Sequence, residues 1–323
     1  MIEGKSSRVH RGVLCEPARI PHQTGASRST KAMGNNLKTL ALLTGMTLLL
    51  MFAGDAIGRY LGTQHGMAIG LAVAALGNFI SYFFSDKIAL AMYGAQPVTR
   101  EDLPRVYNVV ERMTQRVGLP MPKIYVIPNE SPNAFATGRN PSHASVAVTK
   151  GILTLLDDEE LEGVLAHELG HVRNRDILIS SVAATLAGGI TFLARSAMWA
   201  GMFGGYGDRD NRERGGGGFT ALLMIILAPI AALLIQMAVS RSREYEADHT
   251  GAQTTGNPYA LARALQKLDA YSKRMPMVAS PSTAHLFIVA PMIGGDTLAS
   301  LFSTHPPIPK RIERLTGRPA DML

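Results

Sequence analysis

Four stretches of this chain are apolar over lengths that approach a bilayer crossing. The first runs from about Leu40 to Ala53, extended by its flanks to Ile57, and the second from Met67 to Phe84. The third is Ile177 to Ala194 and the fourth Phe219 to Val239. Each is close to the roughly 18–20 residues that cross a hydrocarbon core. A short link with Arg59 and His65 joins the first two, which predicts a membrane hairpin. The last two predict a second hairpin around an outer loop from Ala200 to Gly218. Gly188 and Gly189 dilute the third run, and Pro229 and Gln236 interrupt the fourth.

Elsewhere the period changes to that of a folded body. Leu103, Val106, Tyr107, Val110 and Met113 recur at helical spacing, predicting a helix capped at Thr99 and ending near Gly118. Ile124–Ile127 and Ala144–Thr149 read as buried strands, and Asn133–Gly138 as a loop or edge segment. Asp157 with Glu160 three residues on predicts a capped helix whose stripe is Leu161, Val164, Leu165, Leu169 and Val172. Asn257-Pro258 opens another helix through Leu261, Leu265 and Leu268, and a short last helix follows Pro309. The expected layout is a basic disordered tail (1–35), a transmembrane hairpin (36–92) and the first part of a cytoplasmic domain (93–176). A second hairpin (177–240) and the second part of that domain (241–323) complete it.

The charge pattern orients this layout. The 323 residues carry a net charge of +7 and a mean hydropathy of +0.10, with 46% hydrophobic residues. Lys and Arg cluster beside the apolar runs: in the tail, at Lys87 and Arg100, at Arg173 and Arg175, and at Arg241 and Arg243. That places these flanks on the cytoplasmic side and makes the lipid bilayer, not a nucleic acid, the partner that explains the charge. The tail lacks the apolar core of a signal peptide, and Met33 is a second possible start. Cys15 is the sole cysteine, so neither an internal disulfide nor a thiolate metal cluster is expected.

The chemistry lies in His167-Glu168-Leu169-Gly170-His171. Two histidines four residues apart on a helix present both imidazoles on one face, within reach of one Zn²⁺. Glu168 is then placed as general base on a metal-activated water. A catalytic zinc site needs a third protein ligand. Arg243-Glu244-Tyr245-Glu246-Ala247-Asp248 follows the fourth apolar run, and a second hairpin would return it beside the pentad. Glu244 and Glu246 are both candidates. Glu244 is favoured because Asp248 stands one turn later, where it can accept a hydrogen bond from a ligating histidine. His305 is a candidate donor to the oxyanion. Tyr245, following a ligand, is expected to point elsewhere, and His65, His143, His249 and His285 read as ordinary residues.

The pentad, followed by Glu244 and Asp248 after Ser242-Arg243, resembles the Glu-zincin family that contains HtpX-like proteases and the CAAX prenyl endopeptidases. Asn133-Ala134-Phe135-Ala136-Thr137-Gly138 and His305-Pro306-Pro307 resemble family segments as well, and the likeness runs from about residue 33 to the end. The resemblance implies a mainly α protein with about four transmembrane helices and a small mixed α/β zincin-like protease domain. It implies a zinc endopeptidase of the inner membrane, with a cytoplasmic site, that cleaves misfolded or damaged membrane proteins. It assigns His167, His171 and Glu244 as ligands of one Zn²⁺ and Glu168 as base. Asn133, Ala134, Phe135, Ala136 and Thr137 become a substrate-binding edge. A prenyl protease and a non-catalytic metal-binding adaptor are the alternatives. An intramembrane site is disfavoured by the charges at Glu159, Glu160 and Glu162 before the pentad and at Arg173, Arg175 and Asp176 after it.

Overall fold

The computed structural model describes residues 25–60, 62–203, 240–274 and 306–322. The fourth apolar run, His285, His305 and most of the expected outer loop lie outside them. Two long helices come first, α1 (Gly25–Tyr60) and α2 (Gly66–Met92). Over Met33–Asp55 and Gly66–Met92 they are long and apolar enough to cross a membrane. They pack antiparallel at backbone contact. A Cβ at Gly66 or Gly70 would meet the carbonyl oxygen of Gly54 or Leu50, so only glycine permits this approach. Helix α1 begins at Gly25, inside the 1–35 stretch expected to be a basic tail.

The mixed α/β body follows as β1 (Gln96–Pro97), α3 (Pro104–Val117), β2 (Lys123–Ile127), β3 (Ala134–Gly138), β4 (Ala144–Thr149), α4 (Lys150–Leu155) and α5 (Asp158–Asn174). Helix α3 starts at Pro104, not at Thr99. Asp102 accepts hydrogen bonds from the backbone and hydroxyl of Thr99, closing a turn, and proline at the first helical turn needs no N–H partner. Its end at Gly118, in the left-handed region, and the Asp157–Glu160 capping box of α5 are as the sequence predicts. The sheet has the order β1-β2-β4-β3, with β2 and β4 parallel and the other pairs antiparallel. Strand β3 is therefore an edge.

Helix α6 (Ile177–Phe203) holds the third apolar run. Within it Ile179, Val182, Ala183, Ala184 and Ala187 are fully buried. Two helices qualify as spans among the described residues, against the four expected, the fourth apolar run lying outside those residues. Among the described residues three further α-helices follow: α7 (Arg241–Thr255), α8 (Pro258–Arg274) and α9 (Ile308–Thr316).

Both faces of the sheet are covered. One packs Ile124, Val146 and Val148 against Val106, Val110 and Met113 of α3, Leu161, Val164 and Leu165 of α5, and Leu261 and Leu265 of α8. The other packs Ile127, Phe135 and Ala147 against Ala89 and Leu90 of α2 and Ala184 of α6. Each large aliphatic side chain so buried contributes roughly 1.5–3 kcal/mol. The second cluster seats the sheet directly on the C-terminal end of α2.

Candidate metal centre

Helix α5 carries His167 and His171 on one face, their rings at 87° with centroids 4.8 Å apart. Helix α7 crosses that face so closely that a Cβ at Gly251 would stand 2.9 Å from the His167 backbone nitrogen. Gly170, inside the pentad, faces Ala247 across the same crossing. This approach brings the Glu244 carboxylate between the imidazoles. One oxygen lies 3.7 Å from His167 Nε2 and the other 3.5 Å from His171 Nε2. Two ligands each about 2.0–2.1 Å from a tetrahedral zinc stand about 3.4 Å apart. These spacings are too long for hydrogen bonds and suit three ligands of one cation. Glu246 is not in this group.

Each of the other imidazole nitrogens faces a carboxylate from behind. His167 Nδ1 lies 2.9 Å from Asp248 Oδ1, and His171 Nδ1 lies 3.2 Å from Asp176 Oδ2. A proton on each Nδ1 leaves each Nε2 lone pair directed at the shared point. Glu168 turns to the sheet edge, where its Oε2 accepts a hydrogen bond of 2.9 Å from the Ala136 backbone N–H. The ladder explains why that N–H is available. Thr149 N donates to Asn133 O, so alternate residues of this segment face β4, and Ala134, Ala136 and Gly138 face outward. Gly138 N donates to Ser181 Oγ of α6.

The profile of Peptidase family M48 matches residues 100–319. The chain belongs to peptidase family M48. This M48 member is a metalloprotease, and the relatives it matches carry the name protease HtpX homolog. The one from Desulfatibacillum aliphaticivorans is 56% identical over 286 residues, covering 88% of this chain and 90% of its own. Those from Aquifex aeolicus and Trichormus variabilis are 54% and 50% identical, covering 80% and 88% of this chain and 86% and 96% of their own. The crystal structure of S. mikatae Ste24p aligns with a TM-score of 0.48 at 20% identity, over 89% of this chain and 67% of that one. That likeness is too loose to carry an argument.

The M48 site is electrostatically tense. Burial pushes the Glu168 carboxyl above its ordinary range, and the Glu244 charge adds to this against the pull of both histidines. For His171 burial disfavours the cation, but the Asp176 hydrogen bond and the Glu244 and Asp176 charges outweigh it and carry the metal-free imidazole to about 9. Asp248 is held below the carboxylate range despite burial, chiefly by Arg311.

Several members of this M48 site are invisible to sequence reasoning. Arg311 of α9 is fully buried and grips Asp248. Asp176 reaches His171 because Asp176 N bonds to the His171 carbonyl and Arg175 N to that of Val172, with Arg175 in the left-handed region at φ 60°. Glycine is the usual residue at such a helix end. Arginine in its place hides the stop, and Asp176 reads as one of a run of charges. Tyr245 points away from the histidines, under the Arg314 guanidinium at 3.8 Å. His305 lies outside the described residues.

Proposed function

We propose that the protein is a zinc-dependent endopeptidase anchored in the inner membrane, with its site on the cytoplasmic side, cutting unfolded or damaged membrane proteins. The observation that carries this is the placement of both Glu244 oxygens opposite the two Nε2 atoms, with Glu168 fixed beside them on the sheet edge. His167, His171 and Glu244 would hold the ion, and a nitrogen-rich set of this kind suits zinc. Bound zinc supplies Lewis-acid polarisation of water and of the scissile carbonyl oxygen.

The chain's own groups do the rest. Asp248 and Asp176 fix the tautomer and aim of the imidazoles. Glu168, with one oxygen tied to Ala136, takes a proton from the attacking water and returns it to the leaving amine. Its raised pKa, due to burial, makes it a better base than an exposed glutamate. The outward N–H and C=O of Ala134 and the outward C=O of Ala136, within the Asn133–Thr137 edge, pair with an extended substrate, the Ala136 N–H being kept for Glu168. Beyond them Ser181 closes the edge at Gly138. Two apolar helices and the Lys and Arg residues at their inner ends support the membrane anchor. A client delivered along the bilayer would meet this edge, because the hairpin is packed against the same sheet.

The test is detergent-purified full-length protein, wild type and Glu168→Gln, incubated with an unfolded membrane protein. Wild type should cleave, and chelation should stop it. Glu168→Gln should bind metal and cleave at least a thousandfold more slowly. Turnover retained by Glu168→Gln overturns the assigned role of base.

A further inference from the structure

Helix α1 buries Asn35, Thr39, Leu42 and Met46, four residues at helical spacing that form one stripe. Leu42 and Met46 pack on Leu178, Val182 and Ile190 of α6. At the end of the stripe stands Asn35, 9% exposed, and its side-chain amide donates to Asp176 Oδ1 at 2.7 Å. The other oxygen of Asp176 faces His171 Nδ1 at 3.2 Å. The Arg243 guanidinium is also close enough to attract both Asp176 and Glu244. A continuous line of contacts thus runs from the first apolar helix to a metal-site imidazole.

We propose that Asn35 is a positioning residue of the metal centre: through Asp176 it fixes the His171 ring, so that seating of the first membrane helix sets metal affinity and turnover. This rests on the metalloprotease reading above. A carboxylate with one oxygen pinned by a neutral donor presents the other in a fixed direction. If α1 shifts, Asp176 gains the freedom to rotate and His171 loses its aim. The amide donor suits this task, since it fixes the carboxylate without taking its charge away from the imidazole. The hairpin thereby becomes part of the site as well as its anchor, and proteolysis is tied to a correctly inserted helix.

The experiment uses full-length protein in detergent, stripped of metal. Zn²⁺ affinity is measured against a competing chelator, the visible spectrum is recorded with Co²⁺, and kcat and KM are measured on an unfolded protein substrate. Asn35→Ala should weaken Zn²⁺ binding about three- to tenfold, alter the Co²⁺ spectrum and lower kcat with KM little changed. Asn35→Leu, of similar volume but without the donor, should do the same if the alanine variant folds poorly. Asp176→Asn should cost about 10- to 100-fold in affinity, and adding Asn35→Ala to it should cost little more. Asn78→Ala removes the bonds from Asn78 to Thr47 and Leu43 within the same helix pair, and should leave affinity and spectrum unchanged. Wild-type affinity and spectrum in both Asn35 variants overturn the proposal, as do independent additive effects or an equal loss in Asn78→Ala. Wild type that takes up no metal overturns the protease reading, and this coupling with it.

Discussion

Arg311 is completely buried, and its guanidinium forks onto Asp248, Nε donating to one carboxylate oxygen at 2.9 Å and a terminal nitrogen to the other at 2.6 Å. The oxygen that accepts the shorter bond also lies 2.9 Å from His167 Nδ1. The last helix of the chain therefore holds the first histidine of the pentad through one intermediary. Attraction to Asp248 raises the Arg311 pKa still further despite burial, so the pair stays ionised at any working pH.

Breaking this pair from one side should cost more than removing both charges. Arg311→Met leaves a buried carboxylate uncompensated, a loss of about 3–5 kcal/mol. Arg311→Met combined with Asp248→Asn should be the more stable of the two proteins. Thermal unfolding in detergent checks the order, and a single variant as stable as wild type would contradict it.

The α5–α7 crossing should tolerate no side chain at Gly251. A methyl group 2.9 Å from the His167 backbone must push the helices apart, and Glu244 moves with α7. Gly251→Ala should weaken zinc binding at least tenfold. Gly189→Ala, where a Cβ meets nothing within 4 Å, should not. Zinc titration of both variants is the measurement.

Metal and proton should compete for His171. Its metal-free pKa is raised from 6.5 to about 9, so the proton's stabilising effect is fully present below about 6.5 and lost as pH rises through about 9. Zinc needs the neutral ring, so its apparent affinity should run the other way, rising roughly tenfold per pH unit between about 7 and 9 with release of a proton. Affinity that is flat across this range would contradict the assignment of His171.

Apart from Glu244 and Asp248, placed beside the pentad by the expected hairpin and the family resemblance, what is legible in the sequence is local. The pentad, the Asp157–Glu160 box and the end of α3 at Gly118 each lie within one or two helical turns, where spacing fixes geometry. Arg311 joins Asp248 across 63 positions and Asn35 joins Asp176 across 141, and nothing in their neighbourhoods marks either pairing. Thr99 misled because a turn closed by Asp102 and a helix cap use the same residue types, and Pro104 decides where the helix begins. The third apolar run shows what hydropathy leaves open: Val182 is buried against Leu42 and Met46 of α1 and Ala184 against the sheet, and the same apolar side chains serve either contact.

The account turns on whether Glu244 completes the cation's set of ligands. Zinc content of full-length protein purified in detergent, compared among wild type, Glu244→Ala and Glu246→Ala, tests this most directly. The prediction is one zinc per chain in wild type and in Glu246→Ala, and near-complete loss in Glu244→Ala. A full complement of zinc in Glu244→Ala, or its loss in Glu246→Ala alone, would contradict it.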